Sequence, residues 1–428
     1  MQKWSSVKIG DLGKVLTGRT PPIKDVAYFG TKYPFITPTD MHSGKIVHTT
    51  ERYLSEKGAN LLKNNYLPPR SICVSCIGWQ MGKTVMTAYP SFTNQQINTI
   101  IPKTNVDPDF LYYALTPKRN ELLSLGASTG VRTPILNKSA FSALEIVLPP
   151  LKIQKKIAYI LSAYDDLIEN NIRRIKILEE MAQMLYREWF VNFRFPNHEN
   201  VKMVESALGL MPEGWETVKL GNHITTQKGY AFKSEWYQDY GVPIVKVSNF
   251  TDNSIDITNL VSISEEIAQQ YKKYELKSNE IIIQTVGSWA SNPQSVVGKV
   301  IRTPREAKGA LLNQNAVKIF PQNSINLAFL FYCLKREEFK SYIVGCGQGA
   351  ASQASITLDA IKAFEILLPS SNLLELFKKT IYTNWELINN LGVKNINLRK
   401  TRDLLLPKLI SGEIDVEKLD IETLEIAA

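Results

Sequence analysis

The richest concentration of chemistry in this 428-residue chain is a short run from Gly78 to Thr84. Glycines at 78 and 82 are followed by Lys83 and Thr84, a composition close to that of a phosphate-cradling loop. Such a loop needs four residues between its glycines and the N-terminus of a helix behind them, so that backbone amides and the helix dipole meet the phosphate. Here three residues intervene, and Val85 to Pro90 continues as a β-type run. The segment therefore reads as a glycine turn between strands that presents Trp79, Gln80 and Lys83, a cation suited to a backbone phosphate rather than to a nucleotide pocket. The signatures of a serine hydrolase elbow, a zinc protease helix, an amino-methyltransferase and a dinucleotide fold are all absent from the sequence. Asp239, Glu275 and Lys277 make a loose nuclease-like set, but carboxylates at such spacing arise by chance. Cys73 and Cys76 form one C-x-x-C without a second pair, and His42, His48, His198 and His223 do not complete a zinc site. The four cysteines read as packed free thiols, and no metal is expected.

What remains is a set of loops carrying cations, amides and aromatic rings. Arg19, Thr20 and Lys24 follow a glycine at 18, and Arg132 closes a Ser-Thr-Gly-Val run that starts at 128. Later in the chain Lys228, Tyr230 and Lys233 surround Gly229, Trp289 and Asn292 precede Lys299, and Gln348 and Gln353 bracket a small-residue stretch. Arginine and lysine suit phosphates and guanine edges, whereas asparagine and glutamine match the donor and acceptor of adenine.

The two groups of loops occupy corresponding places because the chain is duplicated. Trp4, Val7, Lys8 and Gly10 are answered by Trp215, Val218, Lys219 and Gly221. Asn94 and Gln95 are answered by Asn313 and Gln314, and Phe110 to Leu115 by Phe329 to Leu334. Each copy closes on a strand ending in proline, at Pro149 and Pro369. A repeat of this length is a domain with its connecting helix, not a solenoid unit. Short β-type runs (7–16, 72–77, 83–87, 99–102) separated by Gly, Pro and Asn turns, with a helical stretch at 108–115, give an α+β pattern. Residues 216–370 repeat it with an insertion between Trp289 and Val297.

After each domain the periodicity changes. Leu161, Tyr164, Ile168, Asn171, Ile175, Leu178, Ala182, Leu185 and Trp189 alternate three and four apart, the spacing of a coiled-coil seam. Ile381, Asn384, Ile388, Leu391, Asn395, Leu398, Arg402, Leu405 and Leu409 repeat it 220 residues later. Two such helices in one chain are expected to pair with each other, antiparallel under a pseudo-twofold axis, with Asn171 and Asn395 fixing register. A helix of about 39 residues would span about 58 Å. The predicted organisation is a first domain over 1–150, a long helix over 151–195, a second domain over 196–370 entered by a linker at 196–212, and a second helix with its tail over 371–428.

Composition agrees with a two-domain chain that reads a polyanion. Hydrophobic residues make up 44% and charged residues 21%, enough for two ordinary cores. The net charge of +9 is concentrated: residues 1–150 hold 17 Lys and Arg against 9 Asp and Glu, residues 201–370 17 against 16. A basic first domain favours nucleic acid. No apolar run approaches the roughly 18–20 residues of a membrane span, and the first residues lead into a polar strand, so a soluble cytoplasmic protein is expected.

With these features together, the whole chain resembles the specificity subunit of type I restriction-modification systems. The marks are two domains each entered by a W-x-x-V-K-hydrophobic-G strand, the Pro212 to Glu216 start of the second module, and the Leu-Pro-Pro entry to the first helix. Trp189 to Phe193 at its end and Leu405 to Ile414 near the C-terminus complete the set. The resemblance implies two target-recognition domains on an antiparallel helix pair, each reading one half of a split double-stranded DNA sequence; a stiff spacer of fixed length then sets the unread base pairs between the half-sites. It further implies two modification subunits that bring S-adenosylmethionine and methylate adenine, and motor subunits that use ATP and Mg to cut. This chain would bind none of those cofactors and perform no bond chemistry. A two-headed protein-binding scaffold, and a self-contained methyltransferase or nuclease, are the competing readings.

Overall fold

The computed structural model describes residues 4–41, 44–127, 133–289, 296–322, 325–349 and 353–419. The chain divides into two compact units, residues 1–170 with 395–428 and residues 171–394.

The first unit is built on a five-stranded sheet in the order Gly13–Thr17, Ile97–Pro102, Ile72–Ser75, Thr84–Thr87, Ile46–Val47. All neighbours are antiparallel except the last pair. Strand Ile72–Ser75 is buried along its length, and its alternate residues serve two cores. Ile72 and Val74 pack with Ile100 and Phe110 on one face, Cys73 with Val85 and Ile97 on the other. The period of two in a β-strand makes that division, which explains why the segment reads as a continuous apolar run. The second unit repeats the design with Ile224–Lys228, Ala316–Pro321, Ile281–Gln284 and Val300–Arg302. There Ile281 and Ile283 face one core and Ile282 the other. Each domain is also closed by the same two-stranded clasp, Ser5–Lys8 with Glu145–Leu148 and Glu216–Lys219 with Glu365–Leu368.

One expected strand is interrupted. Residues 7–16 do not form a single run, because a helical turn at Ile9–Leu12 separates Ser5–Lys8 from Gly13–Thr17. Ile9 and Leu12 lie three apart and are both fully buried, a spacing that only a helical turn brings to one side. Helix Pro108–Leu115 forms where expected, with the Asp107 carboxylate capping the Phe110 amide at 2.9 Å and proline in its first turn.

Two 40-residue helices, Leu151–Phe190 and Ser371–Ile410, run through both units. Within the first unit their direction is fixed by paired contacts: the Asn395 amide reaches the Ile168 carbonyl at 3.5 Å, Arg402 pairs with Asp165, and Lys156 donates to the carbonyls of Glu417 and Leu419 at 2.9 and 2.7 Å. Partner numbers rise as first-helix numbers fall, so the pair is antiparallel there. Leu161, Ile168, Asn171, Ile381, Ile388, Leu391 and Asn395 are buried, and Ile175, Leu178, Leu185, Leu398 and Leu405 are half-buried. The helices also bury a second face against the domains. In the second unit Tyr186, Phe329 and Phe377 surround Phe190, with Phe190 and Phe377 ring centroids 4.9 Å apart and edge to face. Such a pair contributes about 0.5–1.5 kcal/mol beyond its area.

Candidate nucleic-acid interface

The strand pairing gathers the chemically promising loops at one end of each sheet. In the first unit Thr17 opposes Asn98, Ile97 opposes Ser75, and Val74 opposes Thr84. The loops that leave these residues, 18–24, 76–83 and 94–96, therefore emerge together. In the second unit Lys228 opposes Val317, Ala316 opposes Gln284, and Ile283 opposes Val300. Loops 229–233 and 313–315, with the described ends 285–289 and 296–299 of the inserted loop, emerge there in the same way.

Glycine makes the first of these approaches possible. A Cβ on Gly18 would lie 2.1 Å from the Asn94 carbonyl oxygen, and one on Gly229 2.0 Å from that of Asn313. No side chain fits at either place. The pinch is held by paired amides: Gly18 donates to Ile97 and Arg19 to Thr93, at 3.0 and 2.9 Å, while Gly229 donates to Ala316 and Tyr230 to Leu312, at 3.0 and 2.9 Å. Arg19 and Tyr230 thus leave the same point of the duplicated scaffold carrying different chemistry.

The glycine turn is also the same in both copies. Gly82 donates to Ser75 and Gly298 to Gln284, each at 2.8 Å, and both glycines have φ near +85° (85° and 84°). Lys83 and Lys299 follow at equivalent positions. Between them and the preceding strand the second copy carries seven more residues, the insertion visible in the sequence.

Side-chain settings differ among the candidates. Arg19, Lys24, Gln80, Lys228, Lys233, Gln348 and Gln353 are exposed, and Trp79 is 67% exposed at its turn. Thr20 is half-buried and donates its hydroxyl to Gln95 Oε1 at 2.6 Å. Lys83 is half-buried, and burial followed by the Arg119 charge lowers its pKa. Lys299 is half-buried, 3.9 Å from the Asp252 carboxylate and 3.3 Å from the Phe250 carbonyl. Lys233 pairs with Glu235 at 3.4 Å and lies over the Trp236 ring. Tyr230 belongs to an aromatic group with Phe232, Tyr271 and Tyr274, its ring 4.4 Å from that of Tyr271. Trp289 is half-buried, and a Cβ at Gly347 would come 3.1 Å from its ring. Strand Ala354–Ser355 pairs with Val286–Gly287, which brings Gln348 and Gln353 beside the same loop. Arg132 and Asn292 lie outside the described residues.

Sequence reasoning passed over Gln95 and Gln314, both exposed at the centre of their loop clusters. They had been visible only as markers of the repeat. Arg119 was missed as well; it packs against Gly82 and donates to the Met81 carbonyl at 3.3 Å. Among the described residues no group of three His, Cys, Asp or Glu side chains is arranged to hold a metal. Cys73, Cys76 and Cys333 are buried thiols, with burial pushing Cys73 up to about 12 and the other two to about 11. No described helix is long and apolar enough to cross a membrane.

Duplicated α+β domains with matched loop clusters, each carried on antiparallel helices, define a class of protein that a family comparison identifies. The chain belongs to the family of type I restriction modification DNA specificity domains, whose model matches residues 1–180 and again 212–383. With two such domains in one polypeptide it is a specificity subunit with two target-recognition domains. It is 29% identical over 422 residues to the type I restriction enzyme MjaIX specificity subunit of Methanocaldococcus jannaschii, covering 97% of this chain and 94% of that one. Over 189 residues, 43% of this chain and 40% of the relative, it is 38% identical to the HindI specificity subunit of Haemophilus influenzae. The crystal structure of a type I S subunit from M. genitalium shares the fold at a TM-score of 0.54 and 18% identity, covering 95% of this chain and 96% of that one.

Proposed function

We propose that each domain reads one half of a split double-stranded DNA target through the loop cluster at the end of its sheet. The observation that carries this reading is the convergence, twice over, of three loops with cations, amides and rings on a glycine-pinched scaffold. Residues at matched positions differ, as Arg19 and Tyr230 do, so the two half-sites differ in sequence. Arg19, Lys24 and Lys228 contribute phosphate or guanine contacts; Gln80, Gln348 and Gln353 have the donor and acceptor pair for adenine. The excess of cations in the first domain gives it the larger share of phosphate contacts.

The long helices dock two modification subunits. Ile177, Met181 and Met184 lie at helical spacing on the first helix and are each more than half exposed, an apolar stripe that a lone chain leaves in water. Adenine methylation with S-adenosylmethionine, and cutting driven by ATP and Mg in motor subunits, belong to those partners. The assembly works in the cytoplasm. Mapping adenine methylation in cells that express the modification subunit with and without this chain tests the reading. A split motif that depends on the chain is expected; methylation that is indifferent to it refutes the proposal.

A further inference from the structure

Within the duplicated scaffold some exposed positions differ between copies and others are the same, and the difference sorts their roles. Loop residues 19 and 230 are arginine and tyrosine, 20 and 231 threonine and alanine, and the turns before Lys83 and Lys299 differ in length. Gln95 and Gln314, in contrast, are the same residue at the same place. Each follows the asparagine whose carbonyl lies under the glycine pinch, at Asn94 and Asn313. Each is exposed, while the neighbouring asparagine is buried in the first copy and half-buried in the second. On its far side the same turn is tied to the second loop, by the Cys76 amide to Gln96 at 2.8 Å and the Thr285 amide to Asn315 at 2.9 Å.

Two half-sites of unlike sequence share the sugar-phosphate backbone. A residue of one type, exposed at one backbone position in both domains, is matched to that common feature, whereas residues that differ are matched to bases. The polarity of Gln95 agrees. In the first copy its Oε1 already accepts the Thr20 hydroxyl at 2.6 Å, so the Nε2 donors are what the amide offers a ligand. A face of N–H donors suits phosphate oxygens, which only accept. Its neighbours hold the turn: Asn94 Nδ2 donates to Gln96 Oε1 at 2.9 Å and its Oδ1 accepts the Gln96 amide at 3.1 Å.

We propose that Gln95 and Gln314 are a duplicated pair of backbone anchors, each donating its side-chain amide to a DNA phosphate and setting the register of its domain without selecting sequence. This rests on the reading of the domains as DNA-binding.

The test uses the full chain assembled with its modification subunits, scored by the methylated motif across a genome and by binding to duplexes of that motif. Gln95→Ala and Gln314→Ala are each expected to weaken binding roughly ten-fold, the low end for a hydrogen bond to a charged group. The motif should stay unaltered, and so should the slope of affinity against salt, because a neutral amide releases no counterion. Gln95→Glu, of the same shape, should bind more weakly than the alanine variant because its carboxylate faces phosphate. Arg19→Ala, the contrast, should relax one position of one half-site. A motif changed at a single position by Gln95→Ala or Gln95→Glu, or binding within two-fold of wild type in both alanine variants, overturns the anchor assignment. If the wild-type assembly itself neither methylates nor binds selectively, the underlying DNA reading fails and the anchors fail with it. Melting curves of each variant separate a lost contact from a lost fold.

Discussion

The glycine pinch gives the most direct test of how the recognition loops are held. Replacing Gly18 by alanine places a Cβ 2.1 Å from the Asn94 carbonyl oxygen and 2.4 Å from that of Thr93, where ordinary contact begins at 3.4 Å. Both obstacles are backbone, so the strands must part by about 1.3 Å, the difference between 3.4 and 2.1 Å. That separation breaks the hydrogen bonds from the Gly18 amide to the Ile97 carbonyl and from the Arg19 amide to the Thr93 carbonyl, now 3.0 and 2.9 Å. At roughly 0.5–1.5 kcal/mol each, their loss costs about 1–3 kcal/mol. For a unit of this size, where each kcal/mol shifts the midpoint by about 2–4 °C, that lowers its melting temperature by ~2–12 °C. The displaced Arg19 also loses its aim, and one lost base contact is worth about 1–3 kcal/mol of discrimination. Gly229→Ala, with its Cβ 2.0 Å from the Asn313 oxygen, should do the same to the second half-site alone. Gly345→Ala is the control: no atom lies within 4 Å of its added Cβ and its φ is not positive, so it should melt within about 1 °C of wild type. Differential scanning calorimetry of the full chain, with motif mapping of the assembled complex, reads both effects. If Gly18→Ala and Gly229→Ala melt and methylate like Gly345→Ala, the pinch does not hold the loops and the reasoning fails.

Four further outcomes are expected. Asp165 accepts from the Tyr113 hydroxyl and pairs with Arg402, all in the first unit, so Asp165→Ala should cost about 2 kcal/mol in denaturant titrations, below the 3–5 of a fully buried pair because Arg402 keeps a quarter of its exposure; a change under about 0.5 kcal/mol would contradict the link. Burial raises the pKa of Asp109, but Lys45 at 2.9 Å and Arg70 outweigh it and the net shift is downward. A lowered carboxylate contributes stability above its unfolded pKa of about 3.9 and loses it as pH falls through the lower folded value, so Asp109→Asn should be less stable at neutral pH and show a shallower acid loss below pH ~4. Met181→Asp, on the exposed stripe, should leave the melting curve within about 1 °C of wild type and abolish co-purification of the modification subunit; retained co-purification would move the docking surface elsewhere. Inserting one heptad into each long helix should change the number of unread base pairs in the methylated motif and keep both half-sites, whereas altered half-sites with unchanged spacing would refute helix length as the ruler.

Much of this architecture was legible in the residues because it rests on period and repetition. The two-residue period of buried strands and the alternation of three and four along the helices survive divergence, so the sheets, the seam and the duplication could all be read. The helical turn at Ile9–Leu12 could not, since two apolar residues three apart inside a β-rich run carry too little pattern to outweigh their neighbours. The second buried face of the long helices was also missed. Tyr186, Phe377 and Trp385 are held by domain surfaces distant in sequence, so no local spacing announces them. At the candidate loops residue type can be read from the sequence and exposure cannot: Trp79 and Trp289 look alike in sequence, but one stands in solvent and the other leans on Gly347. Gln95 and Gln314 were read as repeat markers because their significance depends on where strand register places the turn.

The two domains keep one fold but hold their helices by different chemistry, and this limits how freely the modules can be exchanged. Tyr113 and Tyr332 occupy the same position of the repeated domain helix. In the first unit the tyrosine donates to Asp165, which also pairs with Arg402 of the second helix. At the position corresponding to Asp165 the second unit has Trp385, whose indole instead donates to Tyr332 at 3.2 Å, so the hydroxyl changes from donor to acceptor. The Arg302 guanidinium, almost wholly buried, stacks on that indole and bonds to Asn279 and Asn389. Burial lowers the pKa of Arg302, which marks a costly charge retained for what it holds in place. A graft of the first domain onto the second helix would therefore bring Lys45 and Arg70 with their carboxylate partner Asp109, but would present Tyr113 to an indole that cannot accept its proton. The loops at the sheet ends can vary without disturbing these clamps, because strands rather than loops connect the two regions. On the proposed reading, recognition can diversify at one end of each sheet while the grip on the helices stays specific to its own copy.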